Sequence, residues 1–338
     1  MRDARLPVTV LTGFLGAGKT TLLNRLLPTP AFAGTAVLIN EVGAIAIDHH
    51  LVREVRGDAI VLGSGCVCCT VAGDLVRALA ALKAQLDRGE LPPIARVVLE
   101  TSGVADPTGV LATLVQHPLL ARAYRPHAVV TVVGAVDGAA TLARHREAAV
   151  QVALADRVII TKADLTDPAP AIAAIRARHA AVPIITAGPD GADALAAVAA
   201  VHADDGAALG HWLRAATARP VGAPPPHAEL VTDVACFAEP VRLGPLALWL
   251  SLMTQIHGGA LLRVKGLVAV VGEAAPVVVH SVGHVVHPAT QLAAWPDDDH
   301  RTRLVFIARG MTAATLRSLL VNLGETLGQP LLREDEAR

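Results

Sequence analysis

Apolar positions in the first two thirds of the chain come in short continuous runs rather than in alternation. Val8-Thr-Val-Leu-Thr12, Ala36-Val-Leu-Ile39, Val97-Val-Leu99, Ala128 to Val136, Val158-Ile-Ile160 and Ile184-Ile185 each read as strands. Strands that are apolar throughout are covered on both faces, which predicts a parallel sheet between helices. Helical spacing falls between the runs. Thr21-Leu-Leu-Asn-Arg-Leu-Leu27 stops before Pro28, and residues 73–88 carry Leu75, Leu79, Leu82 and Leu86 on one stripe. A further helix is predicted over roughly 169–180. The whole predicts an α/β domain with a doubly wound, mostly parallel sheet.

The pattern changes after about residue 205. Arg219-Pro-Val-Gly-Ala-Pro-Pro-Pro226 reads as a stiff linker. Beyond it come a strand over 229–237, a helix over 245–256, strands near 261–271, 276–282 and 303–308, and a helix over 312–322. This predicts a smaller α+β unit. The expected division is a first domain over 1–212, a linker over 213–228 and a second domain over 229–338.

Hydrophobic residues make up 53% of the 338 positions but aromatics only 2%, so the core must be built from Val, Leu, Ile and Ala. A formal net charge of −1 gives no electrostatic case for nucleic acid or an anionic membrane as partner. No apolar stretch reaches transmembrane length. Arg2, Arg5 and the apolar residues to Gly18 imitate a signal peptide, but cleavage would run through the loop described next, so that reading is rejected.

Gly13-Phe-Leu-Gly-Ala-Gly-Lys-Thr20 follows the first strand and opens the first helix. This is the phosphate-binding P-loop pattern in the context it needs. Its glycines let successive N–H groups turn toward one point, where the helix adds its positive dipole end. The candidate nucleotide-binding residues here are Gly13, Gly16, Ala17, Gly18, Lys19, Thr20 and Thr21. Lys19 supplies charge for the β/γ-phosphates, and the Thr20 hydroxyl suits Mg²⁺.

Three later strand ends carry matching chemistry. Thr161-Lys-Ala-Asp164 fits the guanine-reading element of GTPases. Asp164 would accept from guanine N1–H and the 2-amino group, and the Lys162 stem would lie along the base. Adenine presents the opposite pattern and would leave Asp164 unpaired. Glu100-Thr-Ser-Gly103 places an acid where P-loop enzymes hold Mg²⁺ or orient water, then a glycine whose N–H meets the γ-phosphate. Asn40-Glu-Val-Gly43 is a candidate switch around that phosphate. Lys19, Glu41 and Glu100 are therefore the candidate catalytic residues, with GTP and GDP as ligands.

Three of the four cysteines lie in Gly65-Cys-Val-Cys-Cys-Thr70. Cys66 and Cys68 in an extended loop present two thiolates to one side. Such neighbours are poor disulfide partners and good metal or redox candidates, which points to a reducing compartment, the cytoplasm. Thiolates favour zinc or copper(I) and, less strongly, cobalt or nickel. A full site must borrow ligands, with Glu41, Asp48, His49 and His50 as candidates. Buried cysteines acting as small hydrophobes and a redox switch are the other readings.

Thr12-Gly-Phe-Leu-Gly-Ala-Gly-Lys-Thr-Thr21, Asn40-Glu41, Gly65-Cys-Val-Cys-Cys69 and Glu100-Thr-Ser-Gly-Val-Ala-Asp-Pro107 together resemble the CobW-type GTPases. These are relatives of the urease and hydrogenase nickel-insertion GTPases. Residues 258–270 and Arg303-Leu-Val-Phe-Ile-Ala-Arg309 resemble that family's C-terminal module, so the likeness runs nearly end to end. It implies a slow GTP-hydrolysing metallochaperone or metal-insertion factor, carrying Zn²⁺ or Co²⁺ to a client metalloprotein or cofactor-synthesis enzyme. It places the metal at Cys66, Cys68 and Cys69 with Glu41, and Mg²⁺ at Thr20 and Glu100. The chain departs from the pattern at Ala44, where a second switch acid is common, at Thr161, where Asn is usual, and in lacking a His-rich run between domains. From another class, a GTP-dependent assembly or scaffolding factor with structural or redox cysteines is the alternative. His280, His284 and His287 are expected on one strand and turn, the first two sharing a face, as ordinary polar positions.

Overall fold

The computed structural model describes residues 4–40, 52–56, 59–64, 71–179, 182–188, 210, 213, 230–286 and 289–332. The chain divides into two compact units, Met1–Arg176 with Val182–Ala203, and Ala177–Ala181 with Asp204–Arg338.

The first unit contains β1 (Leu6–Thr12), α1 (Lys19–Leu26), β2 (Thr35–Asn40), β3 (Val52–Arg56), β4 (Ala59–Ser64), α2 (Val71–Asp87) and β5 (Arg96–Glu100). It continues with α3 (Pro107–Gln116), α4 (Pro118–Ala123), β6 (Tyr124–Gly134), α5 (Gly138–Arg144), α6 (Arg146–Ala153), β7 (Arg157–Thr161), α7 (Ala169–Arg178) and β8 (Ile184–Thr186). Among the described residues the sheet has eight strands in the order β3-β4-β2-β5-β1-β6-β7-β8. Every pairing is parallel except β3 with β4, an antiparallel hairpin at one edge. On one side of β1 the chain first places β2 and the β3–β4 hairpin and then inserts β5 between β2 and β1; on the other it adds β6, β7 and β8 in turn. Crevices at such reversal points, beyond the carboxyl ends of the strands, are where open α/β sheets bind ligands.

Both faces are packed. On one, Leu22, Leu23 and Leu26 of α1 meet Leu11, Val37, Val98, Val130, Val132 and Ile159. On the other, Val133, Val158 and Ile160 meet Leu142, Val152, Ala171 and Ile175. Residues 130, 132 and 133, and likewise 158, 159 and 160, are apolar in succession because alternate side chains enter opposite cores. Pro126 lies inside β6, and the β1–β6 register slips there between Val8 and Thr9. Proline has no N–H for the ladder, which is why the irregularity falls at that point.

The second unit is an antiparallel sheet with two helices. Its elements are β9 (Leu230–Phe237), α8 (Leu243–His257), β10 (Leu261–Val268), β11 (Val277–Val282), β12 (Val285–Val286), β13 (Thr290–Gln291), β14 (Thr302–Arg309) and α9 (Ala313–Leu327). The path runs β12-β11-β10-β14-β9, with β13 beside β11. Val264, Val268, Leu304 and Phe306 meet Leu246, Leu250, Leu316 and Leu320 of the helices.

The expected strands and long helices appear, with shifted ends. The hairpin β3–β4 and the helices α3 to α6 were not anticipated; apart from α3 all are eight residues or shorter, too brief for a clear period. The expectation for His280 and His284 needs correction. Gly283, at φ +53, turns the chain after β11, so His280 stays on the strand while His284 lies in the turn itself, and the two are not on one strand. His287 and, apart from Leu213, the expected linker lie outside the described residues.

Candidate functional site

The P-loop joins β1 to α1. Gly13, Gly16 and Gly18 adopt φ of +145, +72 and +91. At Gly13 a Cβ would also fall 2.3 Å from the carbonyl oxygen of Val132, so both the dihedral and the space demand glycine. Lys19 opens α1 and is buried. Its Nζ donates to the carbonyls of Gly13 at 2.8 Å and Phe14 at 3.3 Å, which holds the ammonium over the loop. Phe14 stacks on His145, ring centroids 4.3 Å apart.

Glu100 ends β5, the neighbour of β1, with Leu11 opposite it in register. It is only 2% exposed, and its Oε1 accepts a 2.6 Å hydrogen bond from the Thr20 hydroxyl. A hydroxyl and a buried carboxylate meeting at the first turn of the P-loop helix are hard oxygen donors of the kind Mg²⁺ takes. Thr101 follows; its hydroxyl donates to Thr12 Oγ1 at 2.9 Å and its N–H to the carbonyl of Leu11. The loop then passes so close to the P-loop that a Cβ on Gly103 would sit 2.5 Å from the Leu15 nitrogen. It ends at Asp106, whose carboxylate caps α3 by accepting from the Thr108 N–H, with Pro107 in the first turn.

On the other side of β1, the Thr161 hydroxyl donates a 2.6 Å bond to the carbonyl of Ala17. Threonine in place of the usual asparagine therefore ties the segment after β7 to the P-loop. Lys162 is the one non-glycine residue with positive φ among those described, at +58. Its stem passes 3.6 Å from where a Gly134 Cβ would stand. Asp164 is exposed in the turn closed by Leu165 N–H to Lys162 carbonyl. Thus Gly13, Gly16, Ala17, Gly18, Lys19, Thr20, Thr21, Glu100, Gly103, Thr161, Lys162 and Asp164 gather at the carboxyl ends of β5, β1 and β7. The expectations for Glu41, Cys66, Cys68 and Cys69 lie outside the described residues.

One residue was missed. Gln151 of α6 is fully buried. Its Nε2 donates to the carbonyls of Gly103 at 3.1 Å and Ala105 at 3.0 Å, and its main-chain carbonyl accepts from the Thr131 hydroxyl at 2.7 Å. The signal was an amide within Ala148-Ala-Val-Gln-Val-Ala153, a polar side chain in an otherwise apolar run.

With that geometry in hand, the likeness to known proteins becomes specific. Residues 7–184 match the model of the CobW/HypB/UreG nucleotide-binding domain, and residues 231–323 that of the Cobalamin synthesis protein cobW C-terminal domain. The zinc chaperone YjiA of Escherichia coli is 37% identical over 164 residues, 48% of this chain and 51% of that protein. The zinc chaperone CobW of Pseudomonas aeruginosa is 36% identical over 208 residues, 52% of this chain and 54% of that one. The chain spans about half the length of the curated relatives it matches. The crystal structure of Zn(II)-bound YjiA GTPase from E. coli superposes with a TM-score of 0.69 at 24% identity, covering 94% of this chain and 99% of that one, which shows a shared fold.

Proposed function

The chain belongs to the CobW/HypB/UreG family, and from that premise we propose that it is a slow GTPase whose nucleotide state gates the binding and transfer of zinc to a client metalloprotein. The observation that carries the nucleotide half is the Thr20–Glu100 contact, which brings the P-loop helix and the β5 acid to one point. The cargo is taken as zinc rather than cobalt because relatives of this chain are named zinc chaperones. The cysteine loop Cys66, Cys68 and Cys69, with Glu41, is the proposed cargo site, and the division at 1–212, 213–228 and 229–338 is proposed with it.

In this reading the P-loop N–H groups and Lys19 bind the phosphates. Thr20 and Glu100 would hold Mg²⁺, which when bound neutralises phosphate charge. Glu100 orients the attacking water, and Gly103 approaches the γ-phosphate from the loop after β5. Thr161 holds the base-reading turn against Ala17, and Asp164 selects guanine. Among the described residues no helix is long and apolar enough to cross a membrane; the cytoplasm is the proposed location.

The test is a competitive zinc titration of the nucleotide-free, GDP and non-hydrolysable GTP forms, repeated with Cys66 and Cys68 changed to Ser. Tighter zinc in the triphosphate form, lost in the double variant, is expected. One zinc affinity in all forms would leave a scaffolding GTPase as the reading. Loss of triphosphate binding in Lys19→Ala checks the P-loop separately.

A further inference from the structure

Gln151 is a fully buried amide among the apolar residues of α6, an arrangement that costs free energy unless the amide is hydrogen-bonded. Two acceptors face it, the carbonyls of Gly103 and Ala105, so the donor end of the amide must be the end turned toward them. Its Oε1 is buried with no hydrogen-bond partner among the described residues. Gln151 is among the residues lining a cavity of about 30 Å³ that also borders Phe14, Leu15, Thr131, Asp137 and Thr141. That is room for a water, which needs roughly 10–15 Å³ and polar neighbours.

Both carbonyls belong to the stretch between Glu100 and the α3 cap. Thr101 fixes the start of that stretch to β1, and Asp106 fixes its end to α3. Between these anchors the side chain gripping the loop is Gln151. The main chain at Gln151 is in turn tied to β6 by the Thr131 hydroxyl. The loop so gripped is the one pressed on Leu15 of the P-loop.

We propose that Gln151 is a positioning residue for the triphosphate. It holds the Gly103–Ala105 segment in the placement that engages the γ-phosphate, and it does so without touching the nucleotide. This rests on the nucleotide reading given above. A γ-phosphate is present in GTP and absent from GDP, so a residue acting only through this segment affects one ligand and not the other. A residue that merely stabilises α6 would affect both alike.

The experiment compares wild type and Gln151→Met in titrations with fluorescent GDP and a non-hydrolysable GTP analogue, and in GTP turnover. Methionine fills the space but offers no donor, leaving the buried Gly103 carbonyl and the part-buried Ala105 carbonyl without the amide. Triphosphate affinity and turnover should each fall about tenfold or more, with GDP affinity within about twofold of wild type. Gln151→Glu gives a second readout that folding damage does not mimic. Its carboxylate repels the two carbonyls, whereas its neutral form donates one O–H. Burial raises the carboxyl pKa, so its turnover relative to wild type should recover as pH falls from about 8 to about 6. Equal losses for GDP and triphosphate in Gln151→Met, or a flat relative pH profile in Gln151→Glu, overturn the proposal while leaving the nucleotide reading intact. A wild type that binds neither nucleotide overturns both.

Discussion

The Thr20 hydroxyl donates a 2.6 Å hydrogen bond to Oε1 of Glu100, joining residues 80 positions apart. The parallel pairing of β1 with β5 makes this possible, because both strands end at the same level and Glu100, at the end of β5, faces the loop and helix that follow β1. A carboxylate this buried is tolerable only where charge-assisted donors or cations meet it.

Glu100→Gln keeps an acceptor for Thr20 but removes the charge. GTP turnover should fall about 100-fold or more, in the range for loss of a single transition-state contact. Nucleotide affinity should change far less. The wild-type rate itself should be on the order of 10⁻⁴–10⁻² s⁻¹, as for GTPases without a supplied arginine from a partner. Phosphate-release kinetics alongside nucleotide titration measure both, and normal turnover in Glu100→Gln would remove the acid from the reaction.

Asp164 stands exposed at the end of the β7 turn, open to a base. GTP should bind at least about 100-fold more tightly than ATP, since a mismatched base leaves polar groups unpaired. Asp164→Asn should shift preference toward xanthine nucleotides, whose C2 oxygen accepts where guanine donates. Calorimetric titration with GTP, ATP and XTP decides it; equal GTP and ATP affinities would mean Asp164 does not read the base.

Zinc and GTP should tighten one another by the same factor, typically about 5–150-fold, because coupling between two binding sites is reciprocal. Protons compete for thiolates, so zinc affinity should also rise with pH and flatten above the cysteine pKa values. Measuring each ligand's affinity with the other saturating tests both statements. A factor that differs by direction would indicate a hidden step such as self-association.

In the second unit Arg303 is fully buried. Its guanidinium makes paired bonds to Asp297 at 2.7 and 3.1 Å and donates to the Asp299 carbonyl at 2.8 Å. Asp297→Asn should destabilise the protein by up to about 3 kcal/mol, since it removes the better placed of the two carboxylates that face a buried cation, leaving Asp299 at 3.5 Å. Burial pushes the Asp299 carboxyl up, but hydrogen bonds from Arg301 and the charges of Arg303 and Arg301 outweigh it and leave the pKa below the usual range. A depressed carboxylate stabilises the fold above its unfolded value, about 3.9, and that contribution is lost as pH falls through the folded value. Asp299→Asn should therefore lower Tm at neutral pH, and the gap to wild type should close in acid. Parallel melting curves that keep a constant gap down to low pH would contradict this.

The P-loop was legible because its cause is local. Gly13, Gly16 and Gly18 alone allow the positive φ values found there, and the helix starting at Lys19 follows within the same window. Helices α5 and α6 were missed because Gly138–Arg144 and Arg146–Ala153 span two turns each, broken by His145. Lys162 could not be anticipated in a left-handed conformation, since nothing in Thr-Lys-Ala-Asp demands one.

By itself the sequence determined that β1, the phosphate loop and α1 form one unit, and that the sheet is mostly parallel and buried on both sides. Each of these follows from periodicity and backbone freedom over a few neighbouring positions. Only the tertiary structure decided that Glu100 meets Thr20, that Thr161 holds Ala17, and that Gln151 grips the loop at Gly103 and Ala105. Those partners lie between 46 and 144 residues apart. They meet because β5 and β6 flank β1 while β7 follows β6. Strand order is set by how the crossovers pack on the sheet, which no local pattern of residues encodes.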